Sequence, residues 1–200
     1  MRLLLIRHGE SEADILDVHE GRADFPLTER GHRQAQAMAE YVSANFDLAK
    51  IYCSTLTRAK QTATHLSQVS GIELTPDDML MEFNNGLVAG LDRETAERKY
   101  PPVKDLPIHS SVYEQESVLE FRFRADYMLS KIISENAPDS TVAVVTHGGM
   151  ITRLIRSILR LPVDSETFFW TGDTGIHVWR LNGNNHACEC SNFLEHVQGI

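Results

Sequence analysis

The chain has 200 residues, 42% of them apolar and 24% charged, which is ordinary for a soluble globular protein with one well-buried core and short for two. Its formal net charge of -9 supplies no basic excess to release counterions from a polyphosphate backbone, so no nucleic-acid partner is expected, although a local positive pocket remains open. No apolar run approaches the roughly 18 residues of a membrane span, and Leu3–Ile6 passes straight into Arg7 and His8 without a small-residue cleavage site, so no membrane and no secretion are expected and the compartment reads as cytoplasmic.

In chain order, Arg2–Arg7 reads as a strand buried on both faces. Residues 9–25 read as a polar loop. Thr28 caps a helix reaching residue 46, with Ala35, Met38, Ala39, Val42 and Phe46 on its apolar side. Residues 51–53 form a short strand, 56–69 a helix with Ala59, Ala63 and Leu66 inward, and 72–74 another short strand. The stretch 80–117, rich in glycine, asparagine and proline, reads as an irregular insertion over an active site, with a short helix at 93–99. Residues 118–136 are a strong amphipathic helix carrying Phe121, Ala125, Met128, Leu129, Ile132 and Ile133 on its apolar side. Thr141–Thr146 is a second fully apolar strand, 151–161 a helix stopped by Pro162, and 176–181 with 186–191 a hairpin at one sheet edge.

Strands alternating with helices imply an α/β fold: a three-layer sandwich with a mostly parallel central sheet, helices on both faces and an edge hairpin, built as a single domain over 1–200. Three cysteines, Cys53, Cys188 and Cys190, fit reduced thiols. His186, Cys188 and Cys190 read as part of an edge strand rather than a metal site, because a structural zinc needs four ligands and no second cluster is visible.

Two apolar strands end alike, one running through Arg7 into His8 and Gly9, the other through Thr146 into His147 and Gly148. In a parallel sheet, ligands sit beyond the carboxyl ends of the strands, so both histidines are expected at one rim, each followed by a glycine whose backbone N–H can approach an anion. Arg58 starts the helix after the second strand and belongs to the same rim. Its planar fork, like that of Arg7, suits phosphate.

These residues resemble the histidine phosphatases, the phosphoglycerate mutase-like superfamily, over nearly the whole chain. The resemblance runs through Leu5-Ile6-Arg7-His8-Gly9-Glu10-Ser11, Pro26-Leu27-Thr28-Glu29-Arg30-Gly31, Tyr52-Cys53-Ser54-Thr55-Leu56-Thr57-Arg58-Ala59-Lys60-Gln61-Thr62-Ala63, Met81-Glu82-Phe83-Asn84-Asn85-Gly86 with Gly90-Leu91, and Val144-Val145-Thr146-His147-Gly148-Gly149. It implies that His8 attacks phosphorus and becomes phosphohistidine. It further implies that Arg7, Arg58 and His147 bind the transferring phosphoryl oxygens, and that Glu82 protonates the leaving oxygen and later helps activate water. No metal or cofactor is implied, and the partner is a small phosphate ester. His8 must attack as the neutral imidazole, which neighbouring arginines favour by opposing imidazolium formation, while a backbone acceptor would hold its other nitrogen.

Two features depart from the family pattern. Asp14 stands where the family commonly has asparagine, and a carboxylate there repels phosphate unless it is protonated or turned toward an arginine or solvent. The loop 85–90 has fewer charges and less aromatic bulk than is common. The leading reading is a phosphomonoesterase. The alternatives are a cofactor-dependent phosphoglycerate mutase, for which the chain looks short, and an inactive phosphate-binding regulatory module. The substrate and the oligomeric state are not legible in the sequence.

Overall fold

Four consecutive residues of β1 (Arg2–Arg7), Leu3 to Ile6, are fully buried, as only a central strand covered on both faces allows. In the computed structural model, which describes residues Met1–Ile200, β1 pairs in parallel with β4 (Thr141–Thr146) and antiparallel with β5 (Ile176–Asn182). With β2 (Leu48–Cys53), β3 (Leu74–Pro76) and β6 (Asn185–Phe193), the six strands run in the order β3-β2-β4-β1-β5-β6. The first four are parallel, and β5 and β6 form the antiparallel hairpin at the other edge, the sheet the sequence predicts.

The pleat of β1 divides its side chains between two cores. Leu3 and Leu5 join Phe121, Met128 and Ile132 of α5 (Val118–Glu135) and Ile151, Leu154 and Ile155 of α6 (Gly148–Ile158). Leu4 and Ile6 join Met38, Ala39 and Val42 of α2 (Glu29–Asn45) and Ala63 and Leu66 of α3 (Thr57–Ser70). Each fully buried Leu or Ile contributes about 1.5–3 kcal/mol, so both helix layers are held on the sheet by side chains of the same strand. Caps set the helix starts. Thr28 Oγ1 accepts from the Gly31 N–H at 2.9 Å, and Ser117 and Glu120 form a reciprocal capping box.

The structure differs from the sequence reading at several boundaries. A five-residue helix, α1 (Glu12–Leu16), lies inside the expected loop; it is too short to show a period, and its start is marked only by a capping box between Ser11 and Asp14. α6 starts three residues early, because His147 is itself the N-cap and two glycines of low helix propensity form the first turn. It also ends early, at Ile158, with Arg160 in the left-handed region. β3 falls at 74–76 because Ile51, Tyr52 and Cys53 pair with Leu74, Thr75 and Pro76, and an edge strand tolerates the proline. Ile133, on the apolar side of the α5 pattern, is 46% exposed. The stretch before α5 holds 3-10 turns at Asp78–Leu80 and Gly86–Val88 and the helix α4 (Arg93–Lys99). No helix is long and apolar enough to cross a membrane.

Candidate active site

The parallel register of β1 and β4 pairs Arg7 with Thr146, so the next residues, His8 and His147, emerge together at the carboxyl rim. Their ring centroids are 5.1 Å apart, and both side chains are buried. The His8 backbone is held on each side: its N–H donates to the Thr146 carbonyl at 3.0 Å, and its carbonyl accepts from Thr174 N–H at 3.1 Å. Gly9 is required behind it, because a Cβ at that position would lie 2.6 Å from the Gly31 carbonyl oxygen.

His8 Nδ1 lies 2.8 Å from the Gly9 carbonyl oxygen. A carbonyl only accepts, so Nδ1 carries the proton and Nε2 the lone pair. Burial first, then the charges of Arg58 and Arg7, hold the His8 pKa well below the usual histidine range. His8 is therefore a neutral imidazole of one tautomer with Nε2 as a ready nucleophile. His147 is pushed down in the same sense by burial and then by Arg58, His8 and Arg7. Its Nε2 lies 2.8 Å from Ser54 Oγ, and its Nδ1 is buried without a hydrogen-bond partner.

Arg58, on the first turn of α3, is completely buried. Its Nε–H points at His8 Nε2, 3.2 Å away, while Nη1 and Nη2 donate to the carbonyls of Ala23 and Gly21 at 3.1 and 2.8 Å. A guanidinium has five N–H donors, so the fork is locked with further donors left over. Arg7 Nη1 donates to the Thr171 carbonyl at 2.9 Å, and Nη2 lies 3.3 Å from Asp173 Oδ1 and 3.8 Å from Asp14 Oδ1. Glu82 is tied down at both oxygens: Oε1 accepts from Phe83 N–H at 2.7 Å and Oε2 from Gly149 N–H, at the start of α6, at 2.9 Å. Its backbone carbonyl accepts from Arg124 Nη2 at 3.1 Å, and Arg124 is itself paired with Glu116 at 2.5 Å with both side chains buried.

All five residues singled out in the sequence thus stand at one end of the sheet. Asp14 is tied at one oxygen, where Oδ2 accepts from the Ser11 N–H at 2.8 Å and closes the α1 capping box, while Oδ1 stays 3.8 Å from Arg7 Nη2. The Asp173-Thr174-Gly175 turn supplies backbone support for His8 and a carboxylate beside Arg7.

Sequence reasoning missed Glu20. It is mostly buried, with Oε1 3.1 Å from Arg58 Nε and Oε2 3.7 Å from His8 Nε2, and it accepts from Ser11 Oγ at 2.5 Å. A glutamate in a polar loop carries no local signal of this placement. It missed Ser54, Arg124 and Glu116 as well, because the groups they meet lie far from them in the chain or across the loop they brace. Beside the site lies a cavity of about 600 Å³ walled in part by His19, Phe83, Asn85, Val88, Tyr100 and Tyr113, the first two being the chain neighbours of Glu20 and Glu82.

The arrangement can hold a tetrahedral anion between two guanidinium groups and an imidazole, against a second, nucleophilic imidazole, with a carboxyl group at the opening. Comparison with known proteins points the same way. Residues 3–193 match the family described as histidine phosphatase superfamily (branch 1). A probable phosphatase of Schizosaccharomyces pombe is 32% identical, the match covering 92% of this chain and 70% of that protein. A 2,3-bisphosphoglycerate-dependent phosphoglycerate mutase of Brucella melitensis is 31% identical over 92% of this chain and 93% of its own length. The crystal structure of a putative alpha-ribazole-5'-P phosphatase from Escherichia coli superposes with a TM-score of 0.87 over 96% of each chain, at 24% identity, and so shares the fold.

Proposed function

The chain belongs to branch 1 of the histidine phosphatase superfamily, and from that premise we propose that it hydrolyses a small phosphate monoester through a phosphohistidine at His8. The observation that carries this reading is the His8 imidazole itself, neutral, with its proton committed to the Gly9 carbonyl and its free nitrogen beside a buried arginine.

His8 Nε2 attacks phosphorus in line, so that an N–P bond forms as the ester P–O bond breaks. The positive charge that develops on the ring is stabilised by the hydrogen bond from Nδ1 to the Gly9 carbonyl. Arg7, Arg58 and His147 hold the phosphoryl oxygens. With the Ser54 hydroxyl donating to Nε2, His147 keeps a proton on Nδ1, and a phosphoryl oxygen satisfies that otherwise orphaned group. Glu82 delivers a proton to the departing alkoxide and removes one from the water that attacks phosphohistidine, which releases inorganic phosphate and restores His8. Positioning and positive charge supply most of the acceleration in phosphoryl transfer, and the covalent intermediate divides the remaining barrier. The alcohol part of the ester takes the cavity beside Phe83 and Tyr113.

The purified protein is expected to hydrolyse p-nitrophenyl phosphate in the presence of EDTA, and His8→Ala to lose about 10³-fold or more of kcat. Full turnover by His8→Ala removes the proposed nucleophile. Binding of phosphate or vanadate by the unmodified protein with no turnover points instead to an inactive phosphate-binding module.

A mutase reading keeps one specific support. The Brucella mutase matches over nearly its full length, so chain length does not separate the two activities, contrary to the expectation from sequence. The two readings differ in the fate of the phosphohistidine. Interconversion of phosphoglycerates that depends on added bisphosphoglycerate, with negligible release of phosphate, favours the mutase.

A further inference from the structure

Glu20 is a carboxylate in the place where phosphate should go. Near-attack geometry puts phosphorus about 3–3.5 Å from the nucleophilic nitrogen, with its oxygens spread around it. Glu20 Oε2 already stands 3.7 Å from that nitrogen, and Oε1 lies 3.1 Å from Arg58 Nε, beside the guanidinium that an incoming phosphoryl oxygen would need. The groups facing this carboxyl come from three places: His8 and Arg7 from the end of β1, Ser11 and Asp14 from the cap and first turn of α1, and Arg58 from α3.

Around the same space lie Asp14, Asp173 and Glu82, against the two cations Arg7 and Arg58. A phosphoryl dianion added beside an ionised Glu20 would share the arginine with a like charge in a buried site, which is strongly unfavourable. The protonated carboxyl has no such conflict. It keeps its place, accepts the Ser11 hydroxyl and turns its own O–H toward a phosphoryl oxygen.

Resting on the phosphatase reading above, we propose that Glu20 is a built-in competitor for the phosphate site, and that phosphate enters together with one proton that neutralises this carboxyl. The proton comes from solvent and returns there when phosphate leaves. Burial already pushes the Glu20 carboxyl upward, against the pull of Arg58, and a nearby phosphoryl dianion acts in the same upward sense. The site consequently binds phosphate more weakly as pH rises, beyond what the ionisation of phosphate itself dictates.

The test uses inorganic phosphate as the probe on the whole chain. Calorimetric titrations from pH 6 to 8 give Kd for the unmodified protein and for Glu20→Gln, which has the same shape and no charge. The ratio of the two values cancels the ionisation of phosphate. It is expected to shift in favour of Glu20→Gln by up to about tenfold per pH unit, and Glu20→Met is expected to show the same loss of pH dependence. Titrations repeated in buffers of different ionisation enthalpy are expected to show close to one more proton taken up per phosphate in the unmodified protein than in either variant. These proton counts on the unmodified protein decide the matter even if a variant folds poorly, since zero uptake at pH 8 overturns the proposal. Phosphate binding by all three proteins with a pH-independent ratio overturns the role of Glu20 and leaves the phosphate site standing. Absence of phosphate binding in all three overturns the site and the proposal together.

Discussion

At the scale of single residues, the chemistry depends on which nitrogen of an imidazole holds its proton. The Gly9 carbonyl settles this for His8, and Ser54 stands in the corresponding position for His147. Glu82 is positioned by backbone N–H groups, one of them at Gly149, where an added Cβ would fall on Glu82 Oε1. Gly149→Ala is therefore expected to displace the carboxyl and reduce kcat on the order of 10²-fold, while the melting temperature holds or rises, because alanine favours the helix by about 1 kcal/mol. Unchanged kcat in a folded Gly149→Ala protein would sink this account of Glu82. The five site residues were legible in the sequence because two of them follow apolar strands directly and the others fall in ordered motifs. Glu20, which touches both His8 and Arg58, was illegible: its neighbours are brought to it by a chain reversal between residues 9 and 25.

At the scale of elements, the loop that bears Glu82 has little regular structure of its own and borrows its order from α5. Arg124 donates to the carbonyls of Met79, Met81 and Glu82 at 2.8, 2.7 and 3.1 Å, and its charge is matched by Glu116, whose Oε1 also accepts from Asn84 N–H at 2.6 Å. One arginine thus satisfies three backbone oxygens of an irregular segment. Arg124→Met is expected to cost about 3–5 kcal/mol of stability, because it leaves three backbone carbonyls without their donor and the buried Glu116 with only the Asn84 N–H and Arg22 Nη2 at 3.7 Å, and to lower kcat more than it raises KM. Urea unfolding and steady-state kinetics check the two parts, and a loss below about 1 kcal/mol would contradict the clamp. The periodicity of α5 was plain in the sequence, yet it also drew Ile133 into the apolar face, because a pattern of apolar residues does not reveal how wide a stripe the sheet covers. The two-glycine first turn of α6 was read as loop because glycine has low helix propensity, a local rule that the close approach of Glu82 overrides.

At the scale of the whole molecule, the buried histidines make the fold sensitive to acid. Burial lowers His177 and His196 to about 4, and His8 and His147 are also held well below the ordinary value. Between pH 6.5 and 4 the unfolded chain binds protons that the folded state refuses, so stability is complete above that window and falls as pH falls through it. Glu20 and Asp173, both pushed up mainly by burial, act in the opposite sense, since they take protons in the fold before they do in the unfolded chain. With His65, which burial and His32 also lower, five histidines stand against two carboxyls, and the urea midpoint is expected to drop from pH 7 to pH 5. His177 alone contributes about 3 kcal/mol of this loss by pH 4, and His177→Gln should flatten the limb. A midpoint that stays constant over the range would show that these histidines titrate normally.

The sequence by itself determined the layering of the fold, because hydrophobic periodicity is a property of neighbouring residues, and it pointed to five residues for the candidate phosphate site, the histidines and arginines through strand ends and Glu82 only through motifs that resemble the family's. Only the tertiary structure decided which carboxylates face the nucleophile: Asp14 closes a helix cap, while Glu20 stands against Arg58. Electrostatic contact depends on distances of a few ångströms between groups far apart in sequence, and those distances exist only once the sheet has brought its strand ends together.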